Sequence, residues 1–450
     1  MGTIFINPGG PGGSGVEQAI WSEFPDELLK HYDIVGFDPR GVKHSVFSDG
    51  TVIQCSNVLD FKSYFDSEGS PANAEEENLN TKINDEYYQD CAKKNPDWWT
   101  MSTDNVVRDL EIMRQVLLKD EPLNFIGSSY GTTIASYYVA KYPEHVGKIV
   151  LDSPTSTRED LVASALENVK AQEGKINMLL DAYAADQGIT RDDAFNQLME
   201  MKQLADDDKL LGSLGIYPSK EDPTRKISPE SLFQKGIMAM SYFPEADAKA
   251  TFIAAMKQLV DYHDNSYFEW YALYLDGYTP NKLKDVKLTD QAIARSNEFE
   301  VMMIVNSLDY APDEMTAAEN KDFYEQAKKL APKYIALNED SSGYQDFEPS
   351  KDLSWKKLAL ADNNIPDPPK TPMPRENKSG KQLLVVGSIN ESVTPYKFSQ
   401  ETAKLLKSPL ISVNDSVHAP AAYYNNACVN KILIDYFVND KTIVDTTCNR

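Results

Sequence analysis

The first 152 positions alternate between short apolar runs and amphipathic stretches. Runs with the length and composition of buried strands occur at 3–6, 33–37, 123–126 and 148–151. Apolar residues at helical spacing occur at 103–118 and again at 132–142, where the pattern stops at Pro143. Strands that alternate with helices in this way predict an α/β fold with a mostly parallel sheet.

Between positions 153 and 379 helical periodicity dominates and strand patterns almost vanish. Helices are predicted at 158–186, 190–206, 246–262, 288–308 and 314–331. A proline-rich linker follows at 366–374. Strands then return at 382–386 and at 410–413, the last strand predicted, and a final helix is expected at about 420–438. We therefore expect one sheet domain, formed by residues 1–152 and 380–450, that is interrupted by a helical cap of residues 153–379.

Residues 123–142, LNFIGSSYGTTIASYYVAKY, join a predicted strand to a predicted helix through a G-x-S-x-G sequence centred on Ser129. In this context the motif is typical of a nucleophile elbow, a sharp turn that lifts the serine hydroxyl above the sheet. Glycines on both sides of the serine avoid clashes in such a turn. The backbone N–H of Tyr130 would then face a developing oxyanion. The alternative is a Gly/Ser turn without a catalytic role.

A second glycine-rich segment, NPGGPGGSG at residues 7–15, follows the first predicted strand. No lysine follows it in the G-K-[ST] position, which argues against a P-loop. A dinucleotide-binding loop is weakly supported, because G-x-G-x-x-G needs an acidic partner after the next strand of a βαβ unit. The better interpretation is the second half of an oxyanion hole, with the N–H of Gly10 as the donor.

An elbow serine needs a base and an orienting acid, which follow it in the order Ser, acid, His in folds of this kind. Only His418 lies beyond the second group of predicted strands, so it is the predicted base. The other four histidines lie at turns or in the predicted cap: His31, His44, His145 and His263.

Two carboxylates compete for the role of triad acid. Glu391 lies in the loop after the strand at 382–386, where this fold usually places the acid. Asp152 ends the strand that follows the elbow helix, an alternative acid position, although a structural role as a hydrogen-bond acceptor is preferred for it. The neighbouring Asn390 is disfavoured, because an amide cannot stabilise the imidazolium that forms. Glu391 is the predicted acid, and another carboxylate of the chain is the remaining alternative.

Composition narrows the set of partners. The chain has 450 residues, of which 41% are hydrophobic, and a net charge of −24. This charge disfavours nucleic acid and anionic membrane surfaces. No run of 18 apolar residues occurs, so no transmembrane helix is expected. No export signal precedes the first predicted strand. The residues predict neither a metal nor a cofactor, and they do not define the oligomeric state.

The four cysteines fall into two sequence-local pairs without metal-ligand spacing or a nearby histidine. Two structural disulfides are therefore expected, which would indicate an oxidising compartment. The pairs are Cys55 with Cys91 and Cys428 with Cys448.

Four segments, taken in chain order, resemble the tripeptidyl-aminopeptidase-like branch of the prolyl aminopeptidase family of α/β-hydrolases. They are NPGGPGGSG, DIVGFDPRG, GSSYGT and a C-terminal segment with VTP, His418 and the last two cysteines. The resemblance covers the whole chain. It implies an α/β-hydrolase fold with a large inserted helical cap, and a secreted serine exopeptidase that acts on peptides with a free N-terminus. It also implies a disulfide near the C-terminus, which fits Cys428 with Cys448.

Three departures from the family pattern stand out. Family members carry an export signal and extra strands before the glycine loop, so Met1 is interpreted as a truncated start of an extracellular or cell-envelope protein. The triad acid of the family is Asp in a D-P-x-T-P context, and alignment on Thr394-Pro395 places Glu391 there. The usual His-Gly pair is His418-Ala419. A carboxylesterase with the same triad and a peptide binder without catalysis are the alternative functions.

Overall fold

A seven-stranded sheet forms the centre of the molecule. The computed structural model describes residues 2–47, 52–53, 82, 89, 91–157, 161–206, 235–275, 288–309, 316–338 and 376–449. The strands are β1 (Gly2–Asn7), β2 (Tyr32–Gly36), β3 (Leu123–Ser128), β4 (Val146–Asp152), β5 (Leu384–Ser388), β6 (Leu410–Asn414) and β7 (Thr446–Asn449). Their order is β2-β1-β3-β4-β5-β6-β7, and every described pair is parallel.

Helices cover both faces of the sheet, which explains why the strands are apolar at successive positions. The helices before β4 include α1 (Gly15–Trp21), α2 (Asp26–Leu29), α3 (Thr103–Leu118) and α4 (Gly131–Lys141). Phe5 points into the core cluster that contains the buried residues of α3 and α4. Its neighbours Ile4 and Ile6 point into the opposite cluster. Successive side chains of β1 therefore pack into the hydrophobic cores on opposite faces of the sheet.

Between β4 and β5 the regular elements that the structure describes are mostly helices, and short non-helical connections join them. The helices are α5 (Leu161–Gln187), α6 (Arg191–Asp206), α7 (Glu245–Tyr262), α8 (Ser266–Leu275), α9 (Leu288–Asp309), α10 (Ala317–Leu330) and α11 (Pro332–Asn338). Most of them share a core of their own that includes Leu179 and Phe252. In contrast, Val301 and Ile304 of α9 pack into the core of the sheet. The large helical cap inserted between two halves of the sheet is therefore present.

The last part of the chain differs from the sequence prediction in two ways. The strand predicted at 410–413 is not the last one, because β7 follows it and pairs with β6. The sequence of β7 is Thr-Thr-Cys-Asn, which is too short and polar to be recognised from its pattern. The prediction of a helix from about 420 is also wrong at its start. After α12 (Tyr396–Leu406), helix α13 (Ala427–Phe437) begins late, because Asn426 caps it by accepting from the N–H groups of Cys428 and Val429.

A disulfide between Cys428 on α13 and Cys448 on β7 holds this edge of the sheet, with the two Cα atoms 5.6 Å apart. This pairing is confirmed. Cys91 is buried and also disulfide-bonded. Cys55 lies outside the described residues, so the pairing of Cys55 with Cys91 stays a prediction.

Removal of the C-terminal bridge should destabilise the protein. The bridge spans a sequence separation of 20 residues, and a closed loop of this size restricts the unfolded chain by about 3 kcal/mol. The double variant C428S/C448S should lower the free energy of unfolding by a similar amount, measured as a lower urea midpoint under oxidising conditions. Repeating the measurement with reductant separates this effect from that of the disulfide at Cys91. An unchanged midpoint in the oxidised double variant would contradict the prediction.

Candidate active site

The turn between β3 and α4 has the geometry of a nucleophile elbow. Ser129 adopts a φ of 53°, which few non-glycine residues do. Its N–H donates to the backbone oxygen of Asp152 at 2.9 Å. A Cβ atom at Gly127 would lie 2.3 Å from the oxygen of Gly131, and one at Gly131 would lie 2.4 Å from the oxygen of Asn7. Close backbone packing therefore requires both glycines of the motif and holds Ser129 at the carboxyl end of β3.

The glycine-rich loop after β1 packs directly on this elbow. A Cβ atom at Gly9 would lie 2.7 Å from the backbone nitrogen of Tyr130 and 2.9 Å from the Cβ atom of Ser129. The φ angles of Gly9 and Gly10 are 98° and 106°, a region that suits glycine. The structure thus brings the loop of Gly10 beside Ser129 and Tyr130. The assignment of the Gly10 and Tyr130 N–H groups to an oxyanion hole stays a prediction.

His418 and Glu391 meet across the loops that follow β6 and β5. Nδ1 of His418 is within hydrogen-bond distance of Oε1 of Glu391. The same oxygen accepts from the Thr394 hydroxyl at 2.6 Å and from the Thr394 N–H at 3.2 Å. Oε2 accepts from the Ser153 hydroxyl at 2.7 Å. Both oxygens of this buried carboxylate are thus satisfied, which fixes the orientation of the side chain.

Ser153 connects the acid loop to the histidine loop, a role that no sequence pattern indicates. Its hydroxyl donates to Glu391 and accepts from the N–H of Ala419 at 2.9 Å. Ala419 itself has a φ of 55°, in the region where glycine is normally found. Ala419, which stands where the family has glycine, therefore occupies a left-handed backbone region that strains a residue with a Cβ atom.

Asp152 is fully buried and holds the segment that follows His418. Its carboxylate accepts from the N–H groups of Ala421 and Ala422 at 3.1 Å. Burial raises the pKa of this carboxyl group to about 7. The described contacts of Asp152 are those of a structural acceptor, whereas the Nδ1 atom of His418 contacts Glu391.

All of these residues lie along one edge of the sheet. Strands β3, β4, β5 and β6 are adjacent and parallel, so their carboxyl ends meet at the same edge. They lead into Ser129, Asp152, Glu391 and His418, in that order. The cap covers this edge, because the ring of Tyr242 lies edge-on to the His418 ring with the centroids 5.7 Å apart.

The described ranges contain no group of three or more His, Cys, Asp or Glu residues arranged to hold a metal ion. They also contain no helix with the length and hydropathy needed to cross a membrane.

Family models match the two parts of the chain that form the sheet. A model described as the alpha/beta hydrolase fold matches residues 2–195, so the chain is an α/β-hydrolase. A second model, described as TAP-like protein, matches residues 353–448. Together the two matches support the predicted resemblance to TAP-like α/β-hydrolases.

Three relatives that are similar to this chain over nearly its full length are named as hydrolytic enzymes. The tripeptidyl aminopeptidase of Streptomyces lividans is 26% identical, and the match covers 100% of this chain and 77% of the relative. The serine protease Hip1 of Mycobacterium tuberculosis is 25% identical, with 98% and 79% covered. Carboxylesterase B of the same species is 26% identical, with 99% and 79% covered.

These matches confirm the predicted family, the fold class and the assignment as a serine hydrolase. The predicted cap limits of 153 and 379 and the roles of the site residues stay predictions.

The carboxylate that contacts His418 should matter far more for turnover than the buried one. Glu391→Gln keeps the size of the side chain but cannot stabilise an imidazolium. We expect it to lower kcat by about 10⁴, as a triad Asp→Asn change does, with an unchanged circular dichroism spectrum. Asp152→Asn is the matched control and should keep kcat within a few-fold. The reverse pattern of kcat losses would identify Asp152 as the acid.

Asp152 should also make stability depend on pH. Its pKa is raised from 3.8 to about 7 in the folded protein. The folded state therefore binds this proton more tightly than the unfolded chain does, and the contribution of Asp152 to stability falls as the pH rises from about 4 to about 7. Asp152→Asn should show a smaller loss of thermal midpoint between pH 4 and pH 7 than the wild type. Parallel curves for the two proteins would exclude this effect.

Proposed function

We propose that this protein is a serine exopeptidase that releases short peptides or single residues from free peptide N-termini. The observation that carries the proposal is the contact between His418 and Glu391, on the sheet edge that also bears the Ser129 elbow. The tripeptidyl aminopeptidase and Hip1 relatives support the peptidase class.

The proposed reaction is acyl transfer through a Ser-His-acid triad. His418 accepts the Ser129 proton as the hydroxyl oxygen attacks the scissile carbonyl carbon. Glu391 holds the imidazole in the required tautomer and stabilises the imidazolium. His418 then protonates the leaving amine, and a water molecule activated by His418 hydrolyses the acyl-enzyme. The N–H groups of Tyr130 and Gly10 bind the oxyanion, and the loss of one such donor typically raises the barrier by about 2.7–4 kcal/mol.

The cap supplies the selection for a free N-terminus in this proposal. A buried substrate ammonium must be paired with a carboxylate. Glu298 of α9 supports this role, because its backbone packs on the glycine loop: a Cβ atom at Gly12 would lie 2.5 Å from the Glu298 oxygen. The pKa of the Tyr423 hydroxyl is raised by burial and then by the charges of Asp152 and Glu298. The Glu298 backbone therefore packs on the glycine loop, and its carboxylate is close enough to the segment after His418 for its charge to act on Tyr423.

We also propose that the protein acts in an oxidising compartment outside the cytoplasm. Structural disulfides persist in such compartments, and the bridge between Cys428 and Cys448 supports this localisation.

A carboxylesterase is the second candidate, favoured by the similarity to carboxylesterase B. It would use the same Ser129, His418 and Glu391 but would not need an acceptor for a substrate ammonium. Substrates that differ only at the N-terminus therefore discriminate between the two functions.

Tripeptidyl- and aminoacyl-anilides with a free N-terminus should be cleaved, and their N-acetylated forms should not. The physical reason is that only the free amine provides a charge for a cap carboxylate such as Glu298. Initial rates on each pair, beside a short acyl ester, measure this preference. Glu298→Gln should raise KM for the free peptides and leave the rate on the ester unchanged. Equal rates on free and acetylated peptides would favour the esterase.

Ser129→Ala provides the test of the chemistry itself. The variant should lose turnover of all substrates and covalent labelling by a fluorophosphonate probe, while it keeps the unfolding midpoint of the wild type. Undiminished labelling of the variant would refute the assignment of Ser129 as the nucleophile.

A further inference from the structure

A buried lysine of the cap contacts the loop that carries His418. Nζ of Lys175, on α5, donates to the hydroxyl of Ser416 at 2.9 Å, and Ser416 precedes His418 by two residues. Only 3% of Lys175 is exposed. Lysines that are buried to this extent are normally paired with a carboxylate. Across the part of the chain that the structure describes, no carboxylate lies within 4.0 Å of this ammonium.

Charged residues of several other elements surround Lys175. Burial lowers the pKa of Lys175 to about 8, and the negative charges of Glu245 and Asp415 oppose this effect. Lys249 on α7 lowers the pKa further, and Glu391 raises it. The ammonium therefore lies among carboxylates of α7 and of both loops of the proposed triad, at distances longer than an ion pair. On α5 itself, Lys175 and the charged residues Glu167 and Lys170 line a cavity of about 390 Å³. Glu391 and Lys397 of α12 line the same cavity.

Helix α5 contacts the acid loop as well. Nε2 of Gln172 donates to the backbone oxygen of Ser392 at 3.0 Å, next to Glu391. Gln172 and Lys175 are three residues apart and lie on one face of the helix. One face of α5 thus binds the loop of Glu391 and the loop of His418 at the same time.

Helix α7 makes a second pair of such contacts. The N–H of Glu245 donates to Oδ1 of Asp415 at 2.7 Å, and Nδ2 of Asn390 donates to Oε2 of Glu245 at 3.0 Å. Asn390 precedes Glu391, and Asp415 precedes Ser416. Helices α5 and α7 therefore each contact both the Glu391 loop and the His418 loop. Of the residues that make these four contacts, Lys175 is the buried cation.

We propose that Lys175 is a positioning residue, which places the His418 loop against Glu391 through Ser416 and thereby makes the reactivity of Ser129 depend on the docking of the cap. This inference rests on the assignment of Ser129, His418 and Glu391 in the proposed function. Lys175 contacts no reacting atom in this scheme. It acts only through the loop.

Stability and reactivity should separate at this position, because a buried ion is often replaced by an apolar residue of similar volume without loss of stability. Below pH 8 Lys175 is protonated in both the folded and the unfolded state, so the full burial cost is present there. As the pH rises from about 8 to 10.5, the folded state loses this proton first, and that cost declines. Lys175→Met should therefore be at least as stable as the wild type at pH 7.

The test measures the second-order rate constant for labelling of Ser129 by a fluorophosphonate. The probe has no amine, so its rate reports on Ser129 and His418 and not on the selection of N-termini. Lys175→Met should lower this rate constant by between about tenfold and about a hundredfold at pH 7, the size expected for a slight misplacement of a catalytic group. Its thermal midpoint should be equal to or above that of the wild type. Lys170→Met, an exposed lysine on the same helix, is the control and should label at the wild-type rate.

Ser416→Ala tests the same contact from the other side. It should lower the labelling rate constant in the same direction, and the double variant K175M/S416A should add little to Lys175→Met, because the two side chains act through one hydrogen bond. If Lys175→Met does not fold, Ser416→Ala decides alone, and a wild-type rate in that variant overturns the proposal.

The pH profile supplies a readout that a purely structural role would not change. The labelling rate of the wild type should show a decline as the pH rises through about 8, and this decline should be absent from Lys175→Met. Equal rates in the wild type and Lys175→Met at every pH would overturn the positioning role alone. A wild-type protein that the probe does not label at all would instead overturn the proposed serine mechanism.

Discussion

The end of strand β4 is the constraint on which the rest of the site depends. The backbone oxygen of Asp152 binds the N–H of Ser129, and its carboxylate binds the segment after His418. The next hydroxyl, that of Ser153, binds both Glu391 and the N–H of Ala419. Two consecutive residues thus connect the three loops that carry the proposed nucleophile, acid and base. Because these groups are buried, each unmade hydrogen bond would leave a costly unsatisfied atom, so the arrangement is strongly specified.

Helices and strands with a clear apolar periodicity could be predicted from the sequence. Elements whose conformation depends on tertiary contacts could not. Helix α3 has the predicted limits of 103 and 118, because its apolar residues recur at helical spacing. Strand β7 was missed, because its four residues are polar and take their conformation from β6 and the bridge to Cys428. The late start of α13 was missed for a similar reason, since the residues before it serve as donors to Asp152.

The same distinction applies to the candidate site. Motif and chain order predicted Ser129 and His418 as nucleophile and base, and loop position predicted the contact between Glu391 and His418 that the structure shows. Ser153 and Lys175 carry no such pattern, because serine and lysine are common surface residues. Both side chains are buried and bond to loops that are distant in sequence, Ser153 to Glu391 and Ala419 and Lys175 to Ser416. Residues that support a site are therefore harder to predict than residues that would react in it.

The insertion of the cap between β4 and β5 also determines when the site is completed during synthesis. A nascent chain that has emerged as far as β4 can already form the elbow of Ser129, but β4 then presents an unpaired edge until the whole cap has been made. Glu391 and His418 arrive only afterwards, and β7 must still pair with β6 to cover the edge beside them. The unpaired edge of a partly made chain would make it prone to aggregate. Its exposed serine would lack the proposed base and acid, so it would not hydrolyse neighbouring chains.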